Sequence, residues 1–507
     1  MINFLGIDLG TTGLKLALLA ESGEFIGSAY HEYPLLTPQP GYVEQDPDEW
    51  WQGVVDGCQE LKRRFPGQFE AIAGIGICGQ MHTQVYLDEK NRNLRPAITW
   101  MDQRSSQIVD QINADLDSKA LVFRETLNLA TTTYTAPQAK WVMENQPEVW
   151  NKTRRILVAK DCLKFLLTGQ AVTDYAEASG TLLFDVGKRA WSEAMFDFFG
   201  IPRQLFPEAL PSDHVIGQVS EQAARLTGLK AGKPVVNGSS DNSASALGAG
   251  MVKPGQVTLI IGTAGVISVC SDRPLVDTQN RTLCWHYCLP DKWVTLGIMQ
   301  TAGESLHWFR NAFDRPAGQV EPSGDVFEQY NQAVEHVPEG SGGLIFLPYL
   351  NGERTPYWDP CARGVFYGIN LATEKAHLIR AIMEGVSFGL RNNIETVESL
   401  GINIGEVRAV GGGLKSPVWL DILGKILRIP ITTVSVRDTA NLGNILLCGK
   451  ALGVYPSYEE AVARMVTTDR RVFYESGTPV YEGQYAIFLE LYQQLKATFK
   501  QTASLAN

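Results

Sequence analysis

An aspartate closes an apolar, strand-like run near the start of the chain, Phe4-Leu5-Gly6-Ile7-Asp8, and a glycine-threonine turn, Gly10-Thr11-Thr12-Gly13, follows it. A carboxylate at the end of a buried strand is costly unless it is hydrogen-bonded or meets a cation. Mg²⁺ takes one or two carboxylates together with phosphate oxygens, so Asp8 beside such a turn has the chemistry of a metal–phosphate site. A second turn of the same kind, Gly262-Thr263-Ala264-Gly265, follows Leu259-Ile260-Ile261 in the other half of the chain. Glycine lets the backbone turn sharply against a ligand, and successive exposed N–H groups form a concavity for anions. Either turn alone is equally an ordinary strand connection. Together with Asp8 they point to two similar lobes gripping one polyphosphate, ATP, with Lys15 as a local cation.

Asp241 is the second carboxylate of interest. It follows a short strand at Pro234 to Gly238 and the turn Ser239-Ser240, and precedes a helix at Ser243 to Ala249. It fits a helix N-cap, worth roughly 1 kcal/mol. It fits equally a base at the carboxyl end of a strand, accepting the proton of an attacking hydroxyl. Gln80-Met81-His82 follows a strand at Ala71 to Cys78; a neutral histidine beside a glutamine suits a polyol, or is a satisfied loop residue. Trp100, Asp102 and Arg104 put an aromatic, an acid and a base in one turn, for a sugar pocket or a surface ion pair.

Gly411-Gly412-Gly413-x-Lys415-Ser416 follows a strand and opens a helix, which would let a nucleotide lie against backbone at a helix N-terminus. Leu414 before Lys415 rules out a Walker A loop, and a tight strand–helix connection is the alternative. Gly74-x-Gly76-x-x-Gly79 formally matches the dinucleotide fingerprint. The strand-like Gln84 to Asp88 stands where that fingerprint requires a helix. Cys284-x-His286-x-Cys288 has no fourth ligand cluster nearby, and metal binding is not expected there.

These groups need a large scaffold. The chain has 507 residues, too many for one core, and the turn at Gly250 to Gly255 divides it into 1–250 and 251–507. Residues 1 to about 35 read as an antiparallel meander, and Asp46-Pro47 starts a helix to about Phe65. Residues 121 to 184 read as mostly helical, with helices at Pro137 to Glu144 and Ala159 to Leu167. A strand is expected near Gly343 to Pro348, and helices at Glu374 to Leu400, Pro417 to Leu427, Ala440 to Leu452 and Tyr481 to Phe499. The net charge of −11 argues against nucleic-acid or anionic-membrane partners. The first residues carry no signal-like stretch, and the eight irregularly spaced cysteines suit a reduced, cytoplasmic protein.

In this order, these residues resemble the FGGY family of carbohydrate kinases, and within it the xylulokinases. The likeness adds Lys160-Asp161 with Leu167-Thr168-Gly169, Gly352-Glu353-Arg354-Thr355-Pro356-Tyr357-Trp358-Asp359-Pro360, and Gly364-Val365-Phe366-Tyr367-Gly368-Ile369 with His377-Leu378 and Ala381 to Gly385. The resemblance implies an α/β fold of two actin-like, ribonuclease-H-type domains flanking an ATP and sugar cleft. It implies that Asp241 is the catalytic base and Asp8 the Mg²⁺-associated acid, with both carboxylates on the metal side. Gln80, Met81, His82, Trp100, Asp102, Asp241 and Asn242 would bind substrate. Gly10, Thr11, Thr12, Lys15, Gly262, Thr263, Gly411, Gly412 and Gly413 would bind nucleotide. The implied reaction is ATP-dependent phosphorylation of a ketopentose, D-xylulose at O5, by an enzyme that is commonly a dimer. Another sugar, polyol or sugar acid is the rival substrate, and a nucleotide-responsive regulator the rival class. Ser239-Ser240, Ala264, Asp421, Gly424-Lys425 and Asn441 to Asn444 depart from the family pattern.

Overall fold

The computed structural model describes residues 2–314 and 326–505. Its apolar runs assemble into two seven-stranded sheets of one plan. In the first, β1 (Asn3–Leu9), β2 (Gly13–Ala20) and β3 (Phe25–Glu32) form an antiparallel meander. On the other edge of β1, β4 (Ile72–Gly79) runs parallel to it, and β5 (Pro234–Val236) runs parallel to β4. The second sheet repeats this with β6 (Gln256–Ile261), β7 (Gly265–Ser271) and β8 (Trp293–Met299), then β9 (Glu406–Val410) and β10 (Ile431–Val434) in parallel beside β6. A meander whose first strand starts a parallel run is the expected actin-like order, found twice.

The helix expected after Asp46 is Pro47–Arg64, and the Asp46 carboxylate accepts a 3.0 Å bond from the Asp48 N–H. Residues 121–184 are mostly helical, with the expected helices at Thr135–Asn145 and Ala159–Thr168. Strands Arg155–Val158 and Val172–Asp174 separate short helices, because Ile156-Leu157-Val158 pairs with Gln84 to Leu87.

Five helices position the site: α1 (Ala159–Thr168), α2 (Asp241–Gly248), α3 (Lys375–Glu398), α4 (Pro417–Leu427) and α5 (Thr439–Ala451). Helices α3 and α4 pack in the core of the second sheet. Helix α5 does not. It lies against α2 and across β1 and β4, and Leu442, Ile445, Leu446 and Leu447 share a core cluster with Val236 and Leu247. The sheet under it is paved with glycine: a Cβ at Gly6 would stand 2.5 Å from Asn441 Oδ1, and one at Gly76 2.5 Å from the Asn444 carbonyl oxygen.

Candidate active site

Asp8 ends β1, opposite Lys15 on β2 and Cys78 on β4. Its carboxylate meets only the Cys78 thiol, 3.4 Å away. Lys15 is turned aside to Asp438, at the start of α5, at 2.9 Å. Asp241 opens α2, and its carboxylate receives one bond, 2.6 Å from the Asn242 N–H. Ser240 is the N-cap of that helix, so Asp241 is not spent on capping. Burial, then the charges of Asp241 and Asp438, push the Asp8 carboxyl up to about 7. Burial pushes Asp241 up to about 6.

Two carboxylates that repel each other and are short of cations fit a divalent ion. Among the described residues no group of three or more His, Cys, Asp or Glu side chains could hold a metal. The remaining ligands would therefore be phosphate oxygens and water, as Mg²⁺ prefers.

The approach to Asp241 is fixed from below. Gly238 has φ +72°, and a Cβ there would lie 1.7 Å from the Ile77 carbonyl oxygen, so only glycine passes over the end of β4. Ser239 Oγ donates to Asp174 at 3.3 Å, which gives the serine a task where the family has glycine. Asp174 also meets Lys160 at 2.7 Å, and Asp161 bridges Lys160 and Lys164 at 2.9 and 2.7 Å, all of them buried. Burial holds the neighbouring Glu177 carboxyl well above its usual range.

In the loop after β4, His82 takes a left-handed conformation, φ +66°. Its Nδ1 lies 2.5 Å from the Gly180 carbonyl oxygen, so that nitrogen carries the proton and Nε2 is an acceptor. Burial pulls the ring down to about 4, and it is neutral at pH 7. Tyr134 and Trp285 stand edge-on to it at 5.2 and 5.5 Å. Met81 is buried beside it. Asn242, next to the base, receives a 3.2 Å bond from Ser268 on β7.

Three expected ligand groups are held by the protein itself. Asp102 is fully buried and spends its oxygens on the Val43 N–H at 2.6 Å and on Arg104 at 2.8 Å. It positions the turn that carries Trp100, whose indole N–H donates to Thr11 Oγ1 at 3.0 Å. Gln80 donates to Gln45 at 2.7 Å and to the Gly10 carbonyl at 3.3 Å, bracing the first turn. Trp100 and Gln80 thus bear on the Gly10 to Gly13 turn, and Asp102 on Val43 and Arg104.

The tips at Thr12 and at Gly262-Thr263 are exposed between buried strands. The second is closed by Gly262 N–H to Ala264 O at 3.0 Å and buttressed by Ala302 N–H to Thr263 O at 2.9 Å. The helix after Gly411 to Gly413 starts where expected, at Pro417. Gly412–Lys415 is a 3₁₀ turn and α4 begins at Pro417, capped by Ser416. Along α4, Asp421 pairs with Lys425 at 2.8 Å and Lys425 with Glu339 at 2.9 Å, lining an open groove of about 460 Å³. Sequence reading missed Trp285 and Tyr134, which sit in unrelated segments. The discarded Cys284-x-His286-x-Cys288 pattern was the only local signal near Trp285.

Residues 3–248 match the N-terminal domain of the FGGY family of carbohydrate kinases, and residues 257–452 match its C-terminal domain. A xylulose kinase from Lactococcus lactis subsp. lactis is 32% identical, over 100% of this chain and 98% of its own length. A gluconokinase from Bacillus subtilis is 29% identical, over 98% of this chain and 97% of its own. The crystal structure of a xylulose kinase from Rhodospirillum rubrum superposes with TM-score 0.89 at 28% identity, covering 98% of this chain and 100% of that one. No helix among the described residues is long and apolar enough to cross a membrane. Matched in both halves and along its whole length, the chain belongs to the FGGY family of carbohydrate kinases.

Proposed function

We propose that the chain transfers the γ-phosphoryl group of ATP to O5 of D-xylulose. The observation that carries this reading is an Asp241 carboxylate beside Asp8 with only one hydrogen bond spent. Kinases of this kind work by positioning and by neutralising charge. Asp241 accepts the O5 proton as the O5–P bond forms and the bond to ADP breaks. Asp8 and Asp241 are the groups that would hold Mg²⁺, which when bound supplies positive charge to the phosphates. The N–H groups of Gly10 to Thr12 and of Gly262-Thr263 receive phosphate oxygens, with Lys15 near the first set, and Gly411 to Gly413 lie along the nucleoside. His82 Nε2 and Asn242 take sugar hydroxyls, and Trp100 borders them. Residues 1–250 and 251–507 act as two jaws that close on the substrates and exclude water. Such an enzyme belongs in the cytoplasm, and sedimentation would show whether it works as a homodimer.

The test is ADP release with Mg-ATP against ketoses, polyols and sugar acids. Selective turnover of D-xylulose is the expected result. Turnover of gluconate instead would replace the substrate and keep the mechanism. ADP release without any sugar, stimulated by a protein, would overturn the kinase reading.

A further inference from the structure

Arg354 has a largely buried side chain and no hydrogen bond, ion pair or ring partner among the described residues. Its backbone is pinned. Glu353 and Asp359 exchange two 2.9 Å main-chain bonds, and the Tyr357 and Trp358 N–H groups both close onto the Arg354 carbonyl oxygen at 2.6 Å. On either side, Glu353 accepts from the Gln300 N–H at 2.7 Å, and Thr355 bonds in both directions with Ile298. Arg354 therefore sits in a loop whose flanking residues, Glu353 and Thr355, are bonded to the end of β8 at Gln300 and Ile298. Ile298 packs, with Trp285, into the core cluster that includes Met81 and Tyr134. Trp285 is the ring against His82, and the Arg354 charge is felt at His82, where it disfavours protonation. The neighbouring Glu353 carboxyl accepts from the backbone N–H groups of Gln300 and Arg354 rather than from the guanidinium, and burial pushes it up to about 8.

Arg354 offers a donor-only group, and His82 Nε2 an acceptor-only group, to the proposed sugar site. The chemistry of the proposed reaction says what fits between them. A 2-ketopentose closes to a ring only through O5, and a sugar phosphorylated at O5 must react in its open form. That form carries a C2 carbonyl, an acceptor without a proton, beside an O1 hydroxyl that donates. We infer that Arg354 is a specificity-determining residue that donates to the C2 carbonyl oxygen of the open-chain ketose, while His82 accepts from O1–H. The site then reads the ketone end of the substrate from both lobes at once, and selects the reactive open form.

This inference rests on the proposed ketopentose reading. The test compares D-xylulose with D-arabinitol, a pentitol lacking the carbonyl, in wild type, Arg354→Met and Arg354→Lys, by calorimetric binding and steady-state kinetics. A site built to hydrogen-bond a group rejects the analogue that lacks it by large factors. Wild type is expected to prefer the ketose on the order of 100-fold. Arg354→Met should raise KM for the ketose at least tenfold, keep kcat within about threefold, and leave polyol affinity within threefold. Arg354→Lys, which keeps a donor, should restore part of the preference. Equal losses for ketose and polyol, or an unchanged ketose KM in a folded Arg354→Met, would overturn the assignment while leaving the kinase reading intact. A wild type silent toward every ketose would overturn both.

Discussion

Asp241 can serve as a base because the residue before it does the capping. Ser240 takes the helix N-terminus, and the carboxylate keeps a lone-pair face for the substrate. Asp241→Asn should lower turnover at least about 10³-fold, since a positioned base contributes roughly 10²–10⁴. Sugar affinity by calorimetry should change little, and a variant with near-normal rate would remove Asp241 from the chemistry. The base must be ionised, so kcat/KM should rise with pH through about 6 and flatten above it. Asp241→Asn should lack that limb. Asp8 leaves a different trace. Its folded carboxyl titrates near 7, above the roughly 4 of an unfolded chain. The folded state holds that proton more tightly, so the stabilisation present below pH 4 is lost as pH rises towards 7. Without Mg²⁺, Asp8→Asn should melt above wild type at pH 8 and converge with it near pH 4. Identical melting at both would show that Asp8 is not strained by its setting. These two acids were legible in the sequence because each sits at the end of a short local pattern. The partners that hold Asp102 and Gln80 were not legible, because Val43 and Gln45 lie far away in sequence. His82, Tyr134 and Trp285 meet from three distant segments, and no spacing announces that.

The elements carry the site through a few close approaches. Gly238 is the tightest, and Gly238→Ala forces a Cβ into the Ile77 carbonyl oxygen at a left-handed φ. It should destabilise the protein by more than about 2 kcal/mol and displace Asp241; thermal melting with an activity assay measures both. Asn444 in α5 donates to the Ile7 carbonyl at 3.1 Å and to Cys78 at 3.1 Å, beneath Asp8. Asn444→Ala should cost about 1–3 kcal/mol by denaturant unfolding, the range for removing a partner from a buried polar group. No measurable loss would mean the alanine usual in the family packs equally well here. Both asparagines were flagged in the sequence as departures, but their purpose is visible only where α5 crosses β1. The repeated meander was readable from alternating apolar runs. The strand Arg155–Val158 was not, because its apolar residues also fit a helix, and pairing with Gln84 to Leu87 decides the matter.

At the scale of the whole molecule, the groups proposed to hold the sugar come from both lobes: His82 and Asn242 from the first, Trp285 and Arg354 from the second. Catalysis should then need the lobes to approach. D-xylulose with a non-hydrolysable ATP analogue should reduce the radius of gyration in small-angle X-ray scattering, more than either alone. An unchanged radius would mean that the cleft is preformed.

Helix α5 has a consequence for how the chain is made. The glycine-paved face of β1 and β4 is finished by residues that leave the ribosome more than 350 positions later than Gly74 and Gly76. Throughout that interval a nascent first lobe presents an apolar, side-chain-poor groove to the cell. A fragment ending at residue 250 should therefore aggregate or recruit chaperones. Adding 439–451 as a separate peptide should restore solubility, because the missing piece of that lobe is written almost at the end of the message.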